Sequence, residues 1–202
     1  LIEEDGKRTL WVAIADVAHY IEPETLLDDE ARARATSVYL PHAVLPMLPS
    51  RLSDNLCSLR AKVPRLAMTV SMQIENDCTI GKVAAFESII EVQENLSYED
   101  ALDNPKFQNM MDLAEELRRN EIRLNLNSAE LRPRVREDEI SVNVKWPNKA
   151  TEMIETFMVA TNNSIGILLG EKNAPLPWRS HAPPDTPEVE EIVDIIVKNS
   201  SS

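Results

Sequence analysis

The sequence predicts a mixed α/β (α+β) fold, with a twisted, largely antiparallel sheet flanked by helices. Leu66–Ile74 (LAMTVSMQI) alternates apolar and polar side chains with a period of two, as a strand does. Segments beginning at Asn104 and Lys149 repeat their apolar residues at helical spacing instead. Strand-like and helix-like stretches also interleave without a strict strand–helix–strand rhythm, which disfavours a doubly wound parallel sheet.

Along the chain, Thr9–Val17 (TLWVAIADV) is apolar and β-prone, and is expected to be a strand buried on both faces. Glu22-Pro23-Glu24 breaks it, and a helix fits from about Leu27 to Ser37. Asp28, Asp29 and Glu30 suit that helix's positive N-terminus, and Asp28–Arg32 and Glu30–Arg34 are i, i+4 pairs in the favourable order. Prolines 41, 46 and 49 exclude helix and central strand from Tyr39–Pro49 (YLPHAVLPMLP). Its Leu, Val and Met content predicts a buried or half-buried extended loop, a candidate site element.

After the alternating strand, Glu75-Asn76-Asp77 turns the chain toward an antiparallel partner near Lys82–Val92. Ser97-Tyr98-Glu99-Asp100 fits a capping box and opens a short helix. Asn104 and Pro105 supply an N-cap and an N1 proline for a helix running to about Arg119, with Phe107, Met110, Met111, Ala114 and Leu117 on one stripe. Leu131–Val135 and Ile140–Trp146 flank a charged turn and form a predicted hairpin. Lys149–Leu169 is a long helix whose expected core stripe is Ala150, Met153, Ile154, Phe157, Met158, Thr161, Ile165 and Leu168. A last helix starts at Thr186-Pro187 with Val189, Ile192, Val193, Ile196 and Val197 inward, and residues 199–202 are a frayed tail.

The 202 residues are 43% hydrophobic and 27% charged, with 4 glycines and 13 prolines. A chain of this size buries roughly 70% of its unfolded surface and needs neither disulfides nor a metal to hold a core. The composition excludes collagen, low-complexity disorder and a disulfide scaffold. No window approaches about 18 uninterrupted apolar residues, so no membrane span is expected. Cys57 and Cys78 make no Cys-x-x-Cys pair and fit a reducing compartment: intracellular, cytoplasmic or organellar, not secreted. The net charge of −13 argues against a general nucleic-acid coat protein, but not against a local basic channel. The first residue, Leu1, suggests a processed chain or an excised segment.

Read by residue chemistry alone, the chain has no complete active site. His19, His42 and His181 do not pair at metal-ligand spacing, so a zinc site is not expected. The glycines form no phosphate-binding loop, and there is no GxSxG elbow. Asp28-Asp29-Glu30 is an ordinary helix start. Asp16 is explained by capping of backbone groups rather than by metal binding.

Three blocks in order resemble the catalytic RNB domain of the ribonuclease II/ribonuclease R family of exoribonucleases. They are WVAIADVAHYI (Trp11–Ile21) with TSVYLPHAVLPMLPSRLSDNLCSLR (Thr36–Arg60), then PRLAMTVSMQI containing Arg65-Leu66, then MIETFMVATN (Met153–Asn162) with LPWRSHAPP (Leu176–Pro184). The resemblance implies hydrolysis of single-stranded RNA from its 3′ end with release of 5′-mononucleotides. It also implies two Mg²⁺ ions held by clustered aspartates, because such hard ions prefer oxygen ligands and act together in in-line displacement.

That cluster would lie just upstream of the strand containing Trp11, about where this chain begins. Residues 1–198 are therefore expected to be a partial RNB catalytic domain, lacking the aspartate cluster and the C-terminal arginine helix, with no ion expected to bind this segment and no activity expected of it alone. Oligonucleotide-binding-fold domains are expected to flank it in the parent chain, and no membrane partner is expected.

By resemblance, Tyr39 stacks on a base near the RNA 3′ end; by residue reading alone it is a core tyrosine with a satisfied hydroxyl. Glu155 matches the first of a glutamate pair approaching the terminal nucleotides, or else is an ordinary exposed helix carboxylate. Thr156 replaces the second glutamate, and Leu126 stands where some members have a clamping aromatic. Arg179 and His181 match a motif expected to tie loops together. The alternative reading is a catalytically inactive RNB-like RNA-binding or assembly module.

Overall fold

The computed structural model describes residues 1–4, 6–119, 128–136, 139–179, 187, 189–193 and 195. In chain order the elements are β1 (Ile2–Glu4), β2 (Lys7–Ala15), α1 (Leu26–Arg34), β3 (Val38–Tyr39), β4 (Val44–Leu45), β5 (Pro64–Ile74), β6 (Ile80–Glu91), α2 (Tyr98–Leu102), α3 (Gln108–Arg119), β7 (Glu130–Arg136), β8 (Glu139–Lys145) and α4 (Lys149–Glu171). Short 3-10 turns cover Ala18–Tyr20 and Pro105–Phe107, and a π-helical turn covers Arg51–Leu56. Among the described residues, no helix is long and apolar enough to cross a membrane.

The main sheet runs β1-β2-β5-β6, every neighbouring pair antiparallel. Opposed residues share a face of such a sheet, so the register assigns the two sides. Leu10 opposite Met72 and Val12 opposite Val70 lie on the core side, where Leu10, Val70, Met72 and Ile74 are buried. On this side α3 supplies Met111, Leu113, Ala114 and Leu117, and α4 supplies Ala150, Met153 and Phe157. Deep in that core, the Ser164 hydroxyl of α4 lies 3.4 Å from Met72 Sδ.

The other face behaves differently on its two central strands. On β5, Ala67 and Thr69 are buried, and the Thr69 hydroxyl lies 2.6 Å from that of Ser88 on β6. On β2, Trp11 is 45% exposed and meets Phe86 edge-on at 6.0 Å. The expectation that Thr9–Val17 is covered on both faces is therefore corrected: β2 buries Leu10 alone, with Ile14 on the same side 40% exposed, and the strand with buried residues on both faces is β5.

Helix boundaries follow local chemistry. Ser97 and Asp100 form the reciprocal capping box at α2. Asn104 accepts from the Lys106 amide ahead of Pro105, whose 3-10 turn leads into α3. On α4, Asn148 Oδ1 accepts from the Thr151 amide and Thr151 Oγ1 accepts from the Asn148 amide, each at 2.9 Å. One ion pair ties sheet to helix: Arg8 of β2 reaches Glu116 of α3 at 2.7 Å and Cys78 Sγ at 3.5 Å. Arg8, then Cys78, hold the Glu116 carboxyl below its ordinary value.

β7 and β8 form the predicted hairpin. Leu131 lies opposite Val144 and Pro133 opposite Val142, and all four are exposed. Lys145, on the other face, lies 5.0 Å from the centre of the Tyr98 ring and 3.5 Å from Glu99.

Residues 1–168 and 169–202 are separate compact units. In the second, a side chain at Gly170 would meet the Trp178 ring at 3.5 Å. Helical residues Val189, Ile192 and Val193 are 40, 41 and 50% exposed, so they do not face inward as expected. Ile196, Val197 and the tail at 199–202 lie outside the described residues.

Candidate nucleic-acid interface

Tyr39 is placed by α1 and the chain that leaves it. The Thr25 hydroxyl caps α1 by accepting from the Asp28 amide, and the Asp28 carboxylate accepts from the Glu24 amide and from Arg32. Those two bonds, the backbone one first, hold Asp28 below the ordinary carboxylate value. The helix stops at Ala35, whose φ of 60° turns the chain out of the helical path.

β3 then pairs with β4, Val38 opposite Leu45 and Tyr39 opposite Val44, and the turn is closed by Leu40 N–H donating to the Ala43 carbonyl at 2.8 Å. Tyr39 is 79% exposed, and Val38, Leu40, Val44 and Leu45 are also exposed. The loop expected from composition to be buried or half-buried is thus half-buried at Ala43 and Pro46–Leu48, and exposed at Tyr39, Leu40, Val44 and Leu45. The core-tyrosine reading is removed, because the ring is open to solvent. An exposed aromatic face on a short ribbon can stack on a nucleobase whatever the base's identity.

Glu155 is exposed on the second turn of α4, between buried Met153 and Phe157. Its neighbour Thr156 is only 3% exposed and donates its hydroxyl to the Glu152 carbonyl at 2.8 Å. The position that departs from the glutamate pair thus faces the core and not the solvent. Tyr39 and Glu155 stand on separate elements, the β3–β4 ribbon and α4.

Asp16 is part-buried and accepts from the His19 amide at 3.2 Å, while its own N–H donates to Leu66 O at 3.1 Å. Its carboxylate thus satisfies a backbone group of the 3-10 turn, whose N-cap residue is Val17. Burial, and then the charge of Asp16, push the Cys57 thiol up. Among the described residues, no three His, Cys, Asp or Glu side chains are grouped to hold a metal. Arg179 is exposed, and Leu126 and His181 lie outside the described residues.

The sequence reading missed two devices that shape this region. Arg65 of β5 donates to the Ser58 carbonyl at 3.0 Å and to Asn55 Oδ1 at 3.3 Å, fastening the Arg51–Leu56 turn to the sheet. Its position at the start of an alternating strand, off the Leu66 face, was the available signal. Arg34 was read only as a partner of Glu30, yet it also donates to the Pro46 carbonyl at 3.1 Å.

The RNB domain family model matches residues 1–202. The chain belongs to the RNB domain family. It is similar to Ribonuclease R of Chlamydia muridarum, 32% identical over 198 residues, covering 91% of this chain and 29% of that protein. Ribonuclease R of Thermotoga maritima is 33% identical over 202 residues, covering 90% of this chain and 28% of the relative. Among solved structures, Mycoplasma genitalium RNase R in complex with ribose methylated single-stranded RNA matches with a TM-score of 0.81 and 27% identity, over 94% of this chain and 33% of that one. This RNB chain therefore spans less than a third of the length of these curated relatives.

Proposed function

We propose that this chain is part of the RNB catalytic domain, residues 1–198, of a hydrolytic 3′→5′ exoribonuclease acting on single-stranded RNA. The observation that carries the reading is the RNB match along the chain together with its structural likeness to an RNase R bound to single-stranded RNA. Tyr39 stacks on a base near the 3′ end, which the exposure of its ring supports. Glu155 approaches the terminal nucleotides from α4.

Two divalent ions, Mg²⁺ by resemblance, would supply water activation and leaving-group stabilisation. The described residues offer no carboxylate cluster for them, so no ion is assigned to a residue here. The part of this chain is to receive and orient the strand, and the 202-residue segment alone is inactive. Oligonucleotide-binding-fold domains flank it in the parent protein.

The test follows a 5′-labelled single-stranded RNA incubated with the full-length protein, and separately with the segment, in Mg²⁺ and in EDTA. The expected result is stepwise shortening from the 3′ end with mononucleotide release by the full-length protein only, abolished by EDTA. Internal cleavage, undiminished activity in EDTA, or binding without any cleavage would refute the exonuclease reading. Metal-dependent cleavage by the segment would refute its inactivity.

A further inference from the structure

Two residue pairs are too short a ladder to hold a ribbon in water, so β3–β4 needs anchoring from outside itself. Apolar burial does not supply it, since Val38, Val44 and Leu45 are all exposed. Among the described residues, the peptide group joining Pro46 to Met47, where β4 leaves the ribbon, provides an anchor. Its carbonyl accepts from Arg34 Nη1 at 3.1 Å and its N–H donates to Ser37 Oγ at 2.9 Å, so it is gripped at both ends.

Both grips come from the end of α1 and the few residues after it. The guanidinium is itself aimed by Glu30, which accepts from Nε at 2.7 Å. Pro46 has no N–H and a fixed φ, so the direction of this peptide follows from few torsions.

We propose that Arg34 and Ser37 are positioning residues for RNA binding: by clamping the Pro46–Met47 peptide they fix the β3–β4 ribbon and present the Tyr39 ring in one orientation. This rests on the RNA-stacking reading of Tyr39. A ring held in its bound orientation loses less freedom on binding, so the clamp acts on affinity without touching RNA.

The experiment measures fluorescence anisotropy of a labelled, uncleavable 2′-O-methyl oligouridine titrated with the full-length protein carrying Y39A, R34M, S37A or S37T. R34M and S37A are each expected to weaken binding by about three- to tenfold, the range for one lost hydrogen bond. Neither should weaken it further in a Y39A background, and S37T, which keeps the hydroxyl, should bind like the parent. If Y39A binds as tightly as the parent, the stacking reading fails. If Y39A is weakened but R34M and S37A are not, stacking stands and the clamp is overturned. Equal losses from R34M with and without Tyr39 also overturn it, because the arginine would then act through its charge alone.

Discussion

Replacing Thr156 with glutamate restores the carboxylate pair of the resembling family, and the structure says the result is damage. The side chain is 3% exposed and its hydroxyl satisfies the Glu152 carbonyl. A carboxyl placed there loses water, and burial of this degree raises its pKa by about three units. At about 1.4 kcal/mol per unit, keeping it ionised at pH 8 costs about 4 kcal/mol. Crowding by the longer side chain adds about 1–3 kcal/mol. The sum is a large fraction of the ~5–15 kcal/mol that holds a domain folded. It corresponds to a fall in melting temperature of about 10–25 °C for a domain of this size.

The pH dependence separates burial from crowding. An acid whose pKa is raised by folding binds more protons folded than unfolded, so its penalty grows as pH rises from the ordinary carboxyl value to the folded one. T156E should therefore sit closer to the parent at pH 5 than at pH 8 in parallel thermal melts followed by circular dichroism. Coincident melts of variant and parent at both pH values would show that residue 156 faces solvent, and would remove the argument that only Glu155 of the pair points outward.

Y39A should weaken single-stranded RNA binding by about 1–3 kcal/mol, roughly 5- to 150-fold in Kd, and leave the melting curve nearly unmoved because the ring is exposed. The depressed Glu116 contributes stability that is present above the ordinary carboxyl value of 4.5 and is lost as pH falls through its lower folded value. E116Q should remove that acid-side loss in urea titrations from pH 6 to pH 3. The pair is partly exposed, at 25% and 39%, so the variant should cost about 1 kcal/mol or less at neutral pH. S97A should lower stability by about 1 kcal/mol, read as a shift in urea midpoint, because it removes the accepting half of the α2 capping box.

Elements governed by local rules were legible in the sequence. The alternation of Leu66–Ile74 located β5, and the caps at Ser97 and Asn104 located the starts of α2 and of the turn into α3. Both i, i+4 pairs of α1 are present, at 2.9 and 2.7 Å.

Burial was less legible, because it depends on what lies opposite. Tyr39–Leu45 is apolar in composition yet largely exposed, with Pro46–Leu48 half-buried, while Thr156 and Ser164 are polar yet buried. The Thr156 hydroxyl is satisfied by the Glu152 carbonyl one turn back, so hydrophobicity does not mark it as core, whereas Thr161, bonded likewise to Phe157, was placed there by its helical spacing. Ile154, assigned to the same core stripe, is 41% exposed. Leu113 escaped the α3 stripe although it is only 1% exposed.

At the candidate site, Tyr39 and Glu155 were singled out by resemblance alone, and what the structure adds is that both are exposed. The clamp on the Pro46–Met47 peptide was not, since it joins residues ten and twelve positions apart through backbone atoms that carry no sequence signal.

β5 has a strand on each edge and is buried on both faces, whereas β3 and β4 share two residue pairs in the open. The two regions should therefore exchange their amide protons for deuterium in different regimes. Val70, Ser71 and Met72 should exchange only when the whole unit opens, and the ribbon through its own brief openings. A strand of RNA seated on Tyr39 would slow uptake in the ribbon and leave the pace at β5 unchanged, a contrast set by the sheet's construction and readable without any catalysis.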